Sequence, residues 1–84
     1  MNIPAQFSDE LSFSDQVLYV LSVMQKAAAS EVAMELMELK GVSSEEGVAE
    51  LTIETEQELE KLCEAGAVVV VKERREKNRY ALKQ

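Results

Sequence analysis

The sequence predicts a small α+β domain in which the helices come first and a β-hairpin ends the chain. Apolar residues recur at three- and four-residue steps between residues 13 and 65, which is the spacing of one helix face. Gly66 then interrupts the helical pattern, and the four consecutive valines at 68–71 favour a strand because they are β-branched. We therefore expect three main helices, a short extra helix and a two-stranded C-terminal hairpin.

The chain length fits one domain preceded by a short lead-in. A chain of 84 residues buries only roughly 60–65 % of the surface that it exposes when unfolded, so the core is small. Residues 1–12 form the lead-in, because Pro4 and the polar residues 8–10 disfavour a long helix. The domain then spans residues 13–84. The lead-in is expected to dock on this body or on a partner through its apolar residues, Ile3, Phe7 and Leu11.

The first helix is expected over residues 13–26. Either Ser12 or Ser14 can cap it, since a serine oxygen accepts a free amide of the first turn. Asp15 near the start and Lys26 near the end suit the helix dipole. One apolar face is formed by Phe13, Val17, Val20, Leu21 and Met24.

The second helix is expected over residues 31–40, after a compact connection at residues 27–29. Ser30 is its expected cap, and Gly41 is its expected stop because glycine accepts the left-handed conformation at a helix end. The alternative for residues 27–29 is a third strand that pairs with the hairpin.

Residues 42–65 allow two interpretations. Two serine- or threonine-to-glutamate capping boxes, Ser43 to Glu46 and Thr55 to Glu58, favour a short helix over 44–51 and a third helix over 56–65. The β-branched residues at 52, 53 and 55 favour a break near 52–54. The alternative is one continuous helix, because helical spacing also links Val48, Leu51, Thr55, Leu59 and Leu62.

The hairpin is expected to pair a strand at 67–73 with a return strand at 79–83. Apolar valines on both faces of the first strand predict that both faces are at least partly covered. Asn78 tolerates positive φ and is the expected corner residue. Tyr80 is expected to pack with Leu82 against the valine strand, and the alternative is that its ring stacks on a nucleobase.

Charge is divided sharply along the chain, whose net charge is −7. Residues 1–71 hold 14 acids against three lysines, whereas residues 72–84 hold six bases against two acids. The acidic body repels DNA, while the basic end attracts a polyanion. The alternative explanation of the basic end, without a binding role, is a solvated turn that keeps the sheet edge from aggregating.

The sequence predicts no enzyme, no cofactor and no metal site. Histidine is absent, which removes the commonest general base and metal ligand, and the three glycines do not form a phosphate loop. The many glutamates are most simply solvated faces. Cys63 falls beside Leu59 and Leu62 and is expected to be a buried structural thiol.

A cytoplasmic protein that makes no membrane contact is expected. A single cysteine allows no intrachain disulfide, which suits a reducing compartment. The apolar run at 17–24 follows acidic residues, where a signal peptide would carry positive charge, and it is too short to span a bilayer.

Three stretches resemble the winged-helix (winged helix-turn-helix) domain of small bacterial transcription regulators. They are residues 30–33 at the start of helix two, residues 59–68 at the end of helix three, and residues 72–82, which match the hairpin called the wing. The resemblance covers residues 13–83. It implies that helix three enters the major groove of DNA and that the wing touches phosphates or the minor groove.

The sequence departs from that family pattern at two places. The expected reading helix, residues 52–63, and the residue that follows it present Glu54, Glu56, Glu58, Glu60 and Glu64 against Lys61 alone. The stretch 40–51 is also longer than the tight turn that usually joins helices two and three in this family.

Two functions follow as expectations. The first is a non-enzymatic regulator that contacts double-stranded DNA through five wing cations, Lys72, Arg74, Arg75, Lys77 and Arg79. The alternative is a module that binds protein and no DNA, either as a homodimer or through a basic partner. The acidic residues that would meet this partner are Glu54, Glu56, Glu58 and Glu60.

Overall fold

Three helices and a three-stranded antiparallel sheet form the domain, which confirms the α+β class. The computed structural model describes residues 3–41, 45–72 and 78–83. The elements, in chain order, are α1 (Phe13–Met24), β1 (Lys26–Ala28), α2 (Ala29–Lys40), α3 (Glu45–Glu64), β2 (Val68–Val71) and β3 (Arg79–Leu82). The predicted short extra helix over 44–51 is wrong, because residues 45–51 belong to α3.

Helix α1 begins where the capping serine predicts. The Ser12 hydroxyl oxygen accepts a hydrogen bond from the Asp15 amide at 3.2 Å, so Ser12 is the cap. The helix ends two residues earlier than predicted. Gln25 adopts a positive φ of 69° and donates its amide to the Leu21 carbonyl at 2.7 Å, which turns the chain into β1.

Residues 27–29 are not a simple connection, since Lys26–Ala28 forms β1 and Ala29 begins α2. β1 pairs with β3, which lies in the centre of the sheet order β1-β3-β2. The third-strand alternative is therefore confirmed. The physical reason is tertiary: alanines have little preference for strands, and β3 offers them a free edge.

Helix α2 begins without a capping hydroxyl. Ala28 precedes it, and the Glu31 carboxylate accepts the Ala28 amide at 2.9 Å. The predicted Ser30 cap is wrong, because Ser30 already lies in the first turn of the helix. Gly41 ends the helix with a φ of 72°, as predicted.

Helix α3 is a single helix of 20 residues, so the predicted break at 52–54 is wrong and the continuous alternative is confirmed. The Thr52 hydroxyl donates to the Val48 carbonyl at 2.7 Å, which satisfies this polar group inside the helix. Thr55 and Leu59 are fully buried by packing, which outweighs the weak propensity of β-branched residues.

The start and the end of α3 can each be compared with the prediction. Its early start leaves only residues 41–44 between α2 and α3, so the expected long connection is wrong. The Ser43 capping box lies partly outside the described residues, and the Thr55 box lies inside the helix. Gly66, with a φ of 81°, ends α3 as predicted.

The hairpin strands are shorter than predicted. β2 pairs with β3 from Val68–Leu82 to Val71–Arg79, and residues 73–77 lie outside the described part, so the corner role of Asn78 stays a prediction. Val68 is 2 % exposed, whereas Val69 and Val70 are 40 % and 41 % exposed. Val69 and Val70 lie on opposite faces of the sheet and each is more than half covered, so the prediction that both faces are at least partly covered is confirmed.

The core lies between the three helices and one face of the sheet. Its fully buried members are Val17, Val20, Leu21, Val32, Leu36 and Leu59. The lead-in docks on this body: the Phe7 ring lies 6.1 Å from the Tyr19 ring, and the Gln16 amide nitrogen donates to the Ser8 and Leu11 carbonyls. None of the helices within the described ranges is long and apolar enough to cross a membrane.

Candidate functional site

The solvent face of α3 is a continuous acidic surface, which we call the acidic face. At 100° per residue its exposed members fall within one side of the helix, with the exposed Ile53 and Gln57 near its centre. Lys61 is the one base among them. The acids of the acidic face are Glu46, Glu50, Glu54, Glu56, Glu60 and Glu64.

The spacing on the acidic face opposes helix stability. Glu46, Glu50 and Glu54 follow one another at four-residue steps, and so do Glu56 and Glu60. Like charges at this spacing repel each other on a helix. A cationic ligand would relieve the repulsion, so binding one is the chemistry that this face favours.

Glu58 does not belong to the acidic face, although it was predicted with the other three glutamates. Its side chain is half-buried, and its carboxylate accepts a hydrogen bond from the Ser14 hydroxyl at 2.6 Å. This bond fastens α1 to α3. The predicted site role of Glu58 stays a prediction, while Glu54, Glu56 and Glu60 are exposed on the acidic face.

The predicted wing residues are only partly described. Lys72 is exposed directly after β2, and Arg79 is half-buried at the start of β3. Arg74, Arg75 and Lys77 lie outside the described residues. Because Val71 pairs with Arg79, residues 72–78 connect the two strands. The role of these five cations in binding DNA stays a prediction.

A cleft lies between α2, α3 and the hairpin, and no sequence pattern indicates it. Its volume is about 380 Å³. The start of α2, the middle of α3 and the beginning of β3 all contribute, and only the tertiary fold brings them together. The lining residues are Ala28, Ala29, Ser30, Thr52, Glu56, Asn78 and Tyr80.

Tyr80 forms part of both the core and the cleft. It is 5 % exposed, with Leu82 packed beside it on the core side of β3, which confirms the predicted packing. Its ring is too buried to stack on a nucleobase. Burial raises the pKa of Tyr80, with smaller contributions from Glu56, Cys63 and Glu60, so the hydroxyl stays protonated at neutral pH.

Cys63 contacts the core as predicted, although it is half-buried rather than buried. Burial and, to a smaller extent, Glu60 raise the pKa of its thiol. The reactive thiolate is therefore disfavoured, which fits a structural residue.

A second exposed feature is apolar. Val69 and Val70 lie on opposite faces of the edge strand β2, and the homodimer alternative depends on this valine strand together with the apolar lead-in. That homodimer stays a prediction. Comparisons of the chain with protein-family models, with curated proteins and with solved structures found no match.

Proposed function

We propose that this chain is a small non-enzymatic module of winged-helix type whose acidic face binds a basic segment of another protein. The winged-helix assignment is supported by the order of three helices and a C-terminal hairpin, and by the short connection between α2 and α3. The observation that carries the binding proposal is the acidic face itself, with six exposed glutamates and one lysine on one side of α3.

The same observation disfavours insertion of α3 into a DNA groove. Double-stranded DNA carries about one negative charge for each 1.7 Å of its axis, and phosphate contacts dominate its affinity for proteins. Six carboxylates on the docking helix would repel those phosphates. A lysine- or arginine-rich protein segment presents the opposite charge and complements the same surface.

Removing three charges from the acidic face is expected to weaken binding of a basic peptide about tenfold, since exposed ion pairs contribute roughly 0.2–1 kcal/mol each. The probe is a fluorescein-labelled peptide of alternating arginine and glycine, and anisotropy gives the Kd. The variant combines Glu50→Gln, Glu54→Gln and Glu60→Gln, which are exposed positions.

The matched control removes the same number of charges elsewhere. It combines Asp9→Asn, Glu10→Gln and Glu38→Gln, which are also exposed. We expect this control to bind the peptide within about twofold of the wild-type protein. Equal weakening in both triple variants would mean that net charge alone attracts the peptide, and the proposal would be wrong.

Contact between the wing and nucleic acid is the second candidate function. It is favoured because the register of β2 and β3 places several cations in the connection between them. The ladder of β2 and β3 ends at Val71–Arg79, so four cations of the connection fall within seven consecutive residues. These four cations are Lys72, Arg74, Arg75 and Lys77.

If the wing binds DNA, the double variant Arg74→Glu, Arg75→Glu is expected to lose binding at about 50 mM salt, where phosphate contacts are strongest. Electrophoretic mobility of a generic duplex measures the loss. The control is Lys26→Glu, Lys40→Glu, which makes the same charge change outside the hairpin. Unchanged DNA binding by the wing variant would remove the second candidate.

A further inference from the structure

The cleft has the size of a site for one side chain or small ligand. Its volume of about 380 Å³ lies near the lower end of the roughly 300–1,000 Å³ that small-ligand sites occupy. Ala28 and Ala29 give it an apolar wall beside the polar Ser30 and Asn78. Such a mixed lining suits a long side chain with an apolar stem and a polar end.

The described lining of the cleft carries a negative charge. Among these lining residues Glu56 is the one charged side chain, and none of the described cations forms an ion pair with it. Glu56 also belongs to the acidic face, so the cleft and that face are continuous. Burial is the main cause of the raised pKa of Tyr80, and Glu56 and Glu60 add smaller contributions because both carboxylates lie near its hydroxyl.

The free amides at the start of α2 do not turn the cleft into an anion site. Free amides at a helix start favour an anion, and Ala29 and Ser30 line the cleft there. However, the Glu31 carboxylate accepts the Ala28 amide at 2.9 Å and so brings a negative charge to this end of the helix. An anion would therefore meet the carboxylates of both Glu31 and Glu56.

Tyr80 supplies an unused polar group. It lines the cleft and is 95 % buried, and the structure gives its hydroxyl no hydrogen-bond partner among the described residues. The hydroxyl oxygen can accept a hydrogen bond from a ligand in the cleft. A guanidinium offers several donors in one plane, enough for the Glu56 carboxylate and a second acceptor.

We infer that this cleft is a subsite for an arginine side chain of the basic partner, with its guanidinium on Glu56 and its stem against Ala28 and Ala29. This inference rests on the proposed function, because the arginine belongs to the segment that the acidic face binds.

The test uses single amino-acid probes on the isotope-labelled full chain. N-acetyl-arginine amide is expected to shift the amide signals of Ser30, Thr52, Asn78 and Tyr80, with half-saturation at about 1–10 mM, the range of a single weak contact. N-acetyl-citrulline amide has the same shape without the charge, and we expect no saturating shift with it. Glu56→Gln is expected to weaken arginine binding at least about tenfold, and Glu50→Gln, outside the cleft, by less than twofold.

Other results would overturn the inference. Equal shifts with arginine and citrulline would mean that charge is not recognised. Arginine shifts spread along α3 without the cleft signals would mean that the acidic face acts alone. If the basic peptide binds the Glu56→Gln and wild-type proteins equally, the cleft inference is wrong while the acidic-face proposal survives. If the acidic-face triple variant binds the basic peptide as tightly as the wild-type protein does, the proposed function is wrong instead.

Discussion

Replacing Ile53 with proline is expected to destabilise the domain by about 3 kcal/mol or more. Ile53 lies in the interior of the continuous helix α3, and its side chain is 58 % exposed, so little packing is lost. Proline removes the amide of residue 53 and its ring collides with the carbonyl one turn earlier. Urea denaturation followed by circular dichroism measures the change in the free energy of unfolding.

Ile53→Ala is the control for this prediction. It removes the same exposed side chain and keeps the backbone amide, so we expect a change of less than about 0.5 kcal/mol. If proline is tolerated as well as alanine, α3 is broken near residues 52–54, as local propensity alone suggests. The acidic face would then not be one surface.

Replacing Leu59 with alanine is expected to destabilise the domain by about 2–5 kcal/mol. Leu59 is fully buried in the core that α3 shares with α1 and α2. The change removes its apolar contacts and leaves a cavity that the surrounding helices fill only partly. Because a small domain has little stability to lose, we expect much of the chain to unfold at 37 °C.

Met34→Ala is the matched control for Leu59→Ala. Met34 is an exposed apolar residue of α2, so its truncation is expected to change the midpoint of thermal unfolding by no more than about 2–4 °C. A Leu59→Ala protein as stable as this control would show that α3 does not pack on the core through Leu59.

Local chemistry predicted those elements whose ends carry their own signals. The Ser12 hydroxyl, Gly41 and Gly66 mark helix ends by capping or by positive φ, and each does so in the structure. β1 carries no such signal, because it consists of Lys26 and two alanines. It becomes a strand only when β3, more than 50 residues later in the chain, pairs with it.

In α3 the local signals favour a break that does not occur. The β-branched residues near Thr52 and the Thr55 capping box favour a break locally, but packing decides the outcome. Thr55 is fully buried, and the Thr52 hydroxyl is satisfied by the Val48 carbonyl. Tertiary contacts therefore outweighed a difference of some tenths of a kcal/mol per residue in helix propensity.

The candidate site was predictable only as a charge pattern. An excess of glutamates in residues 45–64 is visible in the sequence, but their roles are not. The Glu58 carboxylate accepts a hydrogen bond from Ser14, which is 44 residues away, and is half-buried as a result. The cleft brings together Ser30 of α2, Glu56 of α3 and Tyr80 of β3, and no local sequence pattern indicates that these residues are close.

An isotope-resolved titration tests the central claim, that the acidic face of α3 binds protein and not DNA. The labelled chain is titrated with the arginine–glycine peptide and, separately, with a generic DNA duplex, each at about 50 and about 200 mM salt. We predict that the peptide shifts the α3 amides, including those of residues 50–60, and that DNA leaves them unchanged at both salt concentrations. DNA-induced shifts along α3, with none from the peptide, would contradict the claim.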